Sequence, residues 1–391
     1  MAANTLSYNA IGVLVSQIVS QATGRAAMIP TNTSDFVAVA NTGLLAGYDN
    51  LMGAISQVLS RTIIANRPYT RKFKGLEADN IRWGNHVRKI SYVDRDWEDG
   101  ARLPIANGVP VEDQAPTLDE VLQTNFYGQN DYQIAWTLFA NQLDVAFRGP
   151  DEFGSFITGK LQNISDQVEQ KHESLARMTL ANLMAGVYTL NNSDQVVHLL
   201  TEYNAVTGLS LTAITVMQPA NFPAFIKWVY SRIAEISSKL TERTQIFHQN
   251  VTSKEVSRHT PYARQRVYMY APTRYQVDAR VLADTFHDTY LDQAVTESVN
   301  FWQSIDTPDE IDVTPTYMDA TGALVTPGSS VNVKNILGCI VDEEALGYTV
   351  VNQRSTSAPY NGNGEYQNFW LKFTDRYYND FTENAVLLLL D

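Results

Sequence analysis

Apolar residues return at helical spacing in four stretches of this chain. Ile11, Leu14, Val15, Ile18 and Val19 form the first. The surrounding segment, 1–34, is rich in Asn, Thr, Ser and Ala and carries a single charge, Arg25, which predicts an arm or a weakly held helix. Leu44, Tyr48, Leu51, Met52, Ile55, Val58 and Leu59 predict an amphipathic helix that ends near Ile64, ahead of Arg67-Pro68. The strongest stripe is Leu161, Ile164, Val168, Leu175, Met178, Leu183 and Val187, a single long helix over Phe153–Tyr188. A fourth puts Phe225, Val229, Ile233, Ile236 and Leu240 on one face, with Asn221 as N-cap and Pro223 in the first turn. A further helix is expected from Tyr275 to about His287.

Alternation with a period of two marks strands at Val87–Val93 and Asn125–Trp136, joined by the Gly-, Pro- and Asp-rich run Asp96–Pro116. That is an extended hairpin with a connection far longer than compact domains usually carry. Strands are also expected at Arg266–Ala271, Ile311–Val313, Val331–Val333, Ile340–Asp342, Tyr348–Gln353, Phe369–Arg376 and Ala385–Leu390, with Asn361-Gly362-Asn363-Gly364 as a turn. The class is α+β.

Charge sharpens the hairpin. Residues 61–95 hold nine basic side chains against three acidic ones. Between 103 and 147 there are six acidic side chains (Glu112, Asp113, Asp119, Glu120, Asp131, Asp144) and no Lys or Arg. Such an inversion suits a flap meeting an oppositely charged neighbour. The basic half is interleaved with Tyr69, Phe73, Trp83 and Tyr92, so phosphate contact and base stacking compete with ion pairing between subunits and with plain surface. The whole chain of 391 residues has a net charge of −13, which repels nucleic acid on average. The longest apolar runs are about six residues, far short of the roughly 20 needed to span a membrane, and MAANTLSYN lacks a basic signal-peptide start.

Catalytic chemistry is sparse. The one cysteine, Cys339, excludes an intramolecular disulfide framework and a multi-cysteine zinc site, and its apolar context reads as a buried small hydrophobe. The six histidines fall in no short metal-binding spacing. His287 beside Asp284, Asp288 and Asp292, and the run Asp342-Glu343-Glu344, read as solvated acidic surface. NGNGEY at 361–366 reads as a turn, and no nucleotide-binding or nucleophile-elbow motif is present. No cofactor, metal or catalytic residue is expected.

The order of pieces (polar arm, charged hairpin, long helix, mixed α/β region, closing strands) resembles the major capsid proteins of tailed bacteriophages with the Hong Kong 97-type fold. VYMYAPTRYQVDARVL at 267–282, GCIVDEEALGYTVVNQR at 338–354 and FTDRYYNDFTENAVLLLLD at 373–391 are similar to that family's axial-domain strand and helix and to its closing strands. The resemblance implies an N-terminal arm over 1–65, an extended loop over 66–140 and a peripheral domain with the spine helix over 141–214. An axial domain would take 215–337 and closing strands shared by the two domains 338–391. It implies a non-enzymatic subunit that builds hexamers and pentamers of an icosahedral shell around double-stranded DNA, touched only weakly. A separate scaffolding protein, a portal protein and minor or cementing capsid proteins are the implied partners. The place would be the virion, after assembly in the host cytoplasm, with no membrane. An encapsulin-like compartment shell or another virion structural protein is the alternative. Inter-subunit contacts are expected at Arg67, Arg71, Lys72, Lys74, Arg88, Lys89, Arg95, Asp96, Glu98, Asp99, Glu112, Asp113, Asp119 and Glu120.

Overall fold

Three helices open the chain in the computed structural model, which describes residues 8–55, 72–77, 86–95, 118–127, 130–252, 254–273 and 295–391. They are α1 (Tyr8–Thr23), α2 (Thr33–Leu45) and α3 (48–55). Asn32 caps α2 by accepting the Asp35 amide at 2.9 Å. The sequence predicted one helix starting at Leu44; instead Gly47, at φ 94°, turns the chain between α2 and α3. The reading of α1 as weakly held is also corrected. Ile11, Val15, Ile18 and Val19 are buried among Phe36, Leu51 and Ile55. Its apolar stripe is wide enough to demand cover, and a missing side chain at Gly154 leaves the room that Ile11 fills.

β1 (His86–Tyr92) and β2 (Val121–Tyr127) pair antiparallel, with Tyr92 opposite Val121 and Lys89 opposite Thr124. The predicted strand 125–136 is two strands. β2 stays with β1, whereas β3 (Asn130–Phe139) joins a different sheet. Alternation continues across the break, so the sequence pattern could not reveal the change of sheet.

After α4 (Ala140–Ala146) comes α5 (Pro150–Leu190), 41 residues and about 60 Å long. Pro150, Asp151 and Glu152 suit its first turn, and Asn191 ends it in the left-handed region at φ 51°. Met178 departs from the expected buried stripe, being 52% exposed.

Among the described residues, further helices are α6 (Leu199–Thr207), α7 (Ala213–Val216) and α8 (Phe222–Leu240), and 271–273 are also helical. All five residues assigned to the buried face of α8 are buried. Asn221 occupies the N-cap, but its side chain donates to the Thr215 carbonyl rather than capping.

β4 (Val196–His198), β14 (Ala385–Leu389), β11 (Ile336–Asp342), β5 (Gln265–Tyr270) and β6 (Val295–Val299) form a five-stranded sheet in that order. The β14–β4 and β5–β6 pairs are parallel and the others antiparallel. Cys339, Val341, Leu387 and Tyr268 face the C-terminal half of α5, whereas Ile340, Val386, Leu388 and Val267 face α6 and α8. Both faces are therefore covered, and every residue of β11 and β14 is buried.

The second sheet, β12 (Leu346–Ser357), β13 (Tyr366–Asn379) and β3, is antiparallel and lays Phe369, Leu371 and Phe373 on the opening helices and the start of α5. Thus α5 runs through two cores. Two short antiparallel pairs complete the described chain: β7 (Ile311–Val313) with β10 (Val331–Val333), and β8 (Tyr317–Met318) with β9 (Leu324–Val325). The helix expected at Tyr275–His287 and the end of the one expected to reach Ile64 lie outside the described residues, as does the His287 cluster.

Candidate assembly surface

The β1–β2 ribbon has two unlike faces because alternate residues point to opposite sides. Lys89, Ser91, Leu122, Thr124 and Phe126 lie on the inner side, half-buried or buried. Arg88, Ile90, Tyr92, Val121 and Gln123 occupy the other side and are exposed. Ile90 and Tyr92 are 50% and 67% exposed, and Leu118 just before β2 reaches 85%.

A charged clamp fixes the inner face to the body. The Lys89 ammonium lies 2.6 Å from Asp380 and also pairs with Glu383. Arg258 donates to the Ser91 hydroxyl at 2.7 Å and sits 3.5 Å from Glu383. Asp380 also accepts the Thr382 amide and hydroxyl, so both carboxylates are satisfied. Phe126 packs on Tyr378 with ring centroids 5.3 Å apart. Burial raises the pKa of Glu383 above the usual carboxylate range, against the pull of Lys89 and Arg258.

A second set holds the base of the ribbon. Asp94 accepts the Ser257 amide at 2.7 Å and pairs with Arg243, while its own amide donates to the Glu255 carbonyl. Burial opposes the charge on Asp94, but hydrogen bonds from Ser257 and Arg243 outweigh it and keep the pKa below its ordinary value. Arg95 pairs with Asp119 at 2.9 Å across the ribbon, and Glu120 pairs with Lys254.

Four of the fourteen expected contact residues, Lys89, Arg95, Asp119 and Glu120, are therefore engaged within their own chain. Lys72 and Arg88 are exposed, and Lys74 lies in a single 3-10 turn, Lys74–Leu76. Arg67, Arg71, Asp96, Glu98, Asp99, Glu112 and Asp113 lie outside the described residues. Sequence reasoning missed Arg243, Lys254, Arg258, Asp380 and Glu383. No local signal marks them, since Lys89 and Glu383 are 294 positions apart.

Between β2, α5 and the end of β13 runs a cleft of about 920 Å3, walled by Leu122, Phe126, Met178, Leu324 and Tyr377. This is where Met178 goes: it faces the cleft beneath the ribbon and not a core.

Other candidate groups serve the fold. Phe73, expected to lie among stacking aromatics, is 1% exposed; it packs on Tyr268 and lies 4.9 Å beneath the Arg177 guanidinium. Cys339 is buried at the sheet centre, and burial pushes its thiol pKa well up. Of the Asp342–Glu344 run, expected to be solvated, Glu344 is exposed, Glu343 half-buried and only Asp342 departs. Asp342 is buried and accepts the Thr260 hydroxyl, and Glu343 and Glu344 pair with Arg264. Among the described residues no cluster of three or more His, Cys, Asp or Glu is placed to hold a metal, and no helix is long and apolar enough to cross a membrane.

Comparison with known proteins agrees with this architecture. A family model, that of the Phi29-like phage major capsid proteins, matches residues 18–389. A chain in the structure of the head fibre and inner core protein of native bacteriophage P68 shares the fold at TM-score 0.51 and 12% identity, covering 82% of this chain and 85% of that one. A chain of the capsid of Staphylococcus phage Andhra matches at TM-score 0.49 and 13% identity, over 82% and 84%. No curated protein sequence matches.

Proposed function

The chain belongs to the Phi29-like phage major capsid protein family, a structural component of the virion, and from that premise we propose that it assembles into hexamers and pentamers of an icosahedral shell enclosing double-stranded DNA. The observation that carries this reading is the two-faced ribbon. Its inner side is clamped to its own subunit by Lys89, Asp380, Glu383 and Arg258, while Ile90, Tyr92 and Val121 on the outer side are left exposed. Apolar side chains held rigidly outward on a ribbon favour contact with another molecule, and a shell subunit meets copies of itself on every flank.

In this reading the part of 66–140 between β1 and β2 reaches across a neighbour, while Phe73 and β3 stay with their own subunit; α5 is the spine of a peripheral domain over 141–214, and 215–337 form an axial domain. Residues 338–391 supply closing strands to both. Within 1–65, helices α1, α2 and α3 all pack in the core of their own subunit, so contact with others is proposed only for the parts of that segment outside these helices. The carboxylates Asp96, Glu98, Asp99, Glu112 and Asp113 and the cations Arg67, Arg71, Lys72, Lys74 and Arg88 are the charged groups offered to neighbours. A scaffolding protein, a portal protein and cementing proteins complete the partners, with assembly in the host cytoplasm. The shell confines the genome without tight binding, consistent with an acidic chain. The function is architectural, with no catalysis.

The test is negative-stain electron microscopy of the full chain, with and without its scaffold, beside a variant lacking Glu98–Gln114. Wild-type chain is expected to form closed shells or capsomer rings. The shortened chain should stay folded by circular dichroism yet remain unassembled. Monomers alone from the wild-type chain under every condition would overturn the proposal, as would normal shells from the deletion variant.

A further inference from the structure

We infer that Arg354 and Lys372 form the docking point for a carboxylate-rich stretch of a second copy of this chain, an inference that rests on the shell-forming reading above. The two residues stand directly opposite each other on β12 and β13, and Gln133 of β3 lies across from Lys372 on its other side. All three are exposed. Residues opposite in register share a face of the sheet, and like charges so placed repel and weaken the pairing. Neither cation has a side-chain partner among the described residues. The nearest carboxylate by register, Asp131, is diagonal to Lys372; it sits opposite Thr374 and takes that hydroxyl at 2.7 Å.

Arg25, Arg88 and Arg148 also lack an ion pair among the described residues; what sets Arg354 and Lys372 apart is that they stand opposite each other. Lys89, Arg95, Arg177, Arg232, Lys254 and Arg264 all have acidic partners in their own chain. With 42 acidic against 29 basic side chains, internal partners are plentiful. A cation pair set against itself, with no acid on either member among the described residues, is built to receive charge from outside. The opposite face of the same sheet is committed to the core through Phe369, Leu371 and Phe373, so the pair stands on a rigid platform.

Charge complementarity selects the occupant. Residues 96–113 contain Asp96, Glu98, Asp99, Glu112 and Asp113 against one cation, Arg102. A stretch this dense in carboxylates offers an arginine the two oxygens of a bidentate contact and a lysine a point charge beside it. The contact is heterologous, one patch of a subunit meeting a different patch of the next, which is the type that closes rings.

Charge reversal on both sides tests this, with assembly of the full chain followed by sedimentation and electron microscopy. Arg354→Glu/Lys372→Glu is expected to lower the assembled fraction about ten-fold at low ionic strength and less at high. Glu98→Arg/Asp99→Arg should do the same. All four changes in one chain should restore shells, since every contact then has both charges reversed. The altered sheet residues are exposed, and thermal melts should stay within a few degrees of wild type; Arg354→Gln/Lys372→Gln should give an intermediate loss. Assembly of the Arg354→Glu/Lys372→Glu chain at the wild-type level overturns the inference, and so does failure of the four-fold variant to recover. Normal shells that co-purify with less DNA would mean the cations face phosphate, which also overturns it. A wild-type chain that forms no shells would instead bring down the shell-forming reading, and this inference with it.

Discussion

Gly338 lies on β11, the middle strand of the five-stranded sheet, and a Cβ there would run into the Tyr268 carbonyl of β5. The obstacle is backbone in a ladder, so it cannot swing aside as a side-chain tip would. Gly338→Ala is expected to cost about 1–3 kcal/mol through forced separation of the strands. Gly362, with nothing within 4 Å of its would-be Cβ, is the control, and Gly362→Ala should leave the urea midpoint unchanged. Equal midpoints for both variants would show that the β11–β5 contact yields. Residue-level features of this kind are poorly legible in sequence. The sequence marks Gly362 as a turn glycine and Gly338 as a strand one, but only the neighbouring strand shows that Gly338 has no room for a Cβ. Met178 makes the same point: its spacing fits the buried stripe of α5, yet the body leaves a cleft where it emerges.

Elements were legible where local pattern and tertiary cover agree. The stripe of α8 was readable because a single apolar face meets a single sheet. The β2–β3 boundary was not, because alternation is the same in either sheet. The clamp on the ribbon was invisible, being assembled from residues almost 300 positions apart. Its chemistry nonetheless makes a definite expectation. Replacing Lys89 by Met removes one of the clamp's two cations and leaves Asp380 and Glu383, with side chains 1% and 7% exposed, facing Arg258 alone. Breaking a buried pair from one side costs on the order of 3–5 kcal/mol at neutral pH. Glu383 already has a raised pKa from burial, and losing Lys89 removes a charge that lowers it. A carboxylate whose pKa is higher folded than unfolded favours the fold when protonated, and that stability is lost as pH rises through the folded value. The deficit of Lys89→Met should therefore shrink as pH falls below neutral towards the ordinary carboxylate range. Thermal melts of wild type and variant across that range measure it. A deficit that stays constant or widens on acidification would mean that Glu383 is not the group left uncompensated.

On the scale of the whole molecule, α5 is the member common to both cores. Its N-terminal half packs Phe153, Ile164 and Val168 with the opening helices and the β12–β13–β3 sheet, and its C-terminal half packs Leu180, Leu183 and Val187 with the five-stranded sheet. A shell subunit must pass force between such halves without parting, and a continuous helix does so because bending it breaks backbone hydrogen bonds. The proposed coupling can be cut at one point. Gln170 is exposed near the middle of α5, so Gln170→Pro removes one helical hydrogen bond and introduces a clash with the preceding turn while disturbing no core side chain. The local cost is about 3 kcal/mol or more, but the informative quantity is cooperativity. In the wild-type chain, amide exchange in α1 and in β14 should report the same opening free energy, since neither core can melt without α5. In Gln170→Pro the two should separate, each core opening on its own and the smaller one first. Exchange that remains coincident in the variant would place the coupling in the contacts between sheets rather than in the helix. In that case the length of α5 would serve reach alone, setting the distance over which one subunit meets the next.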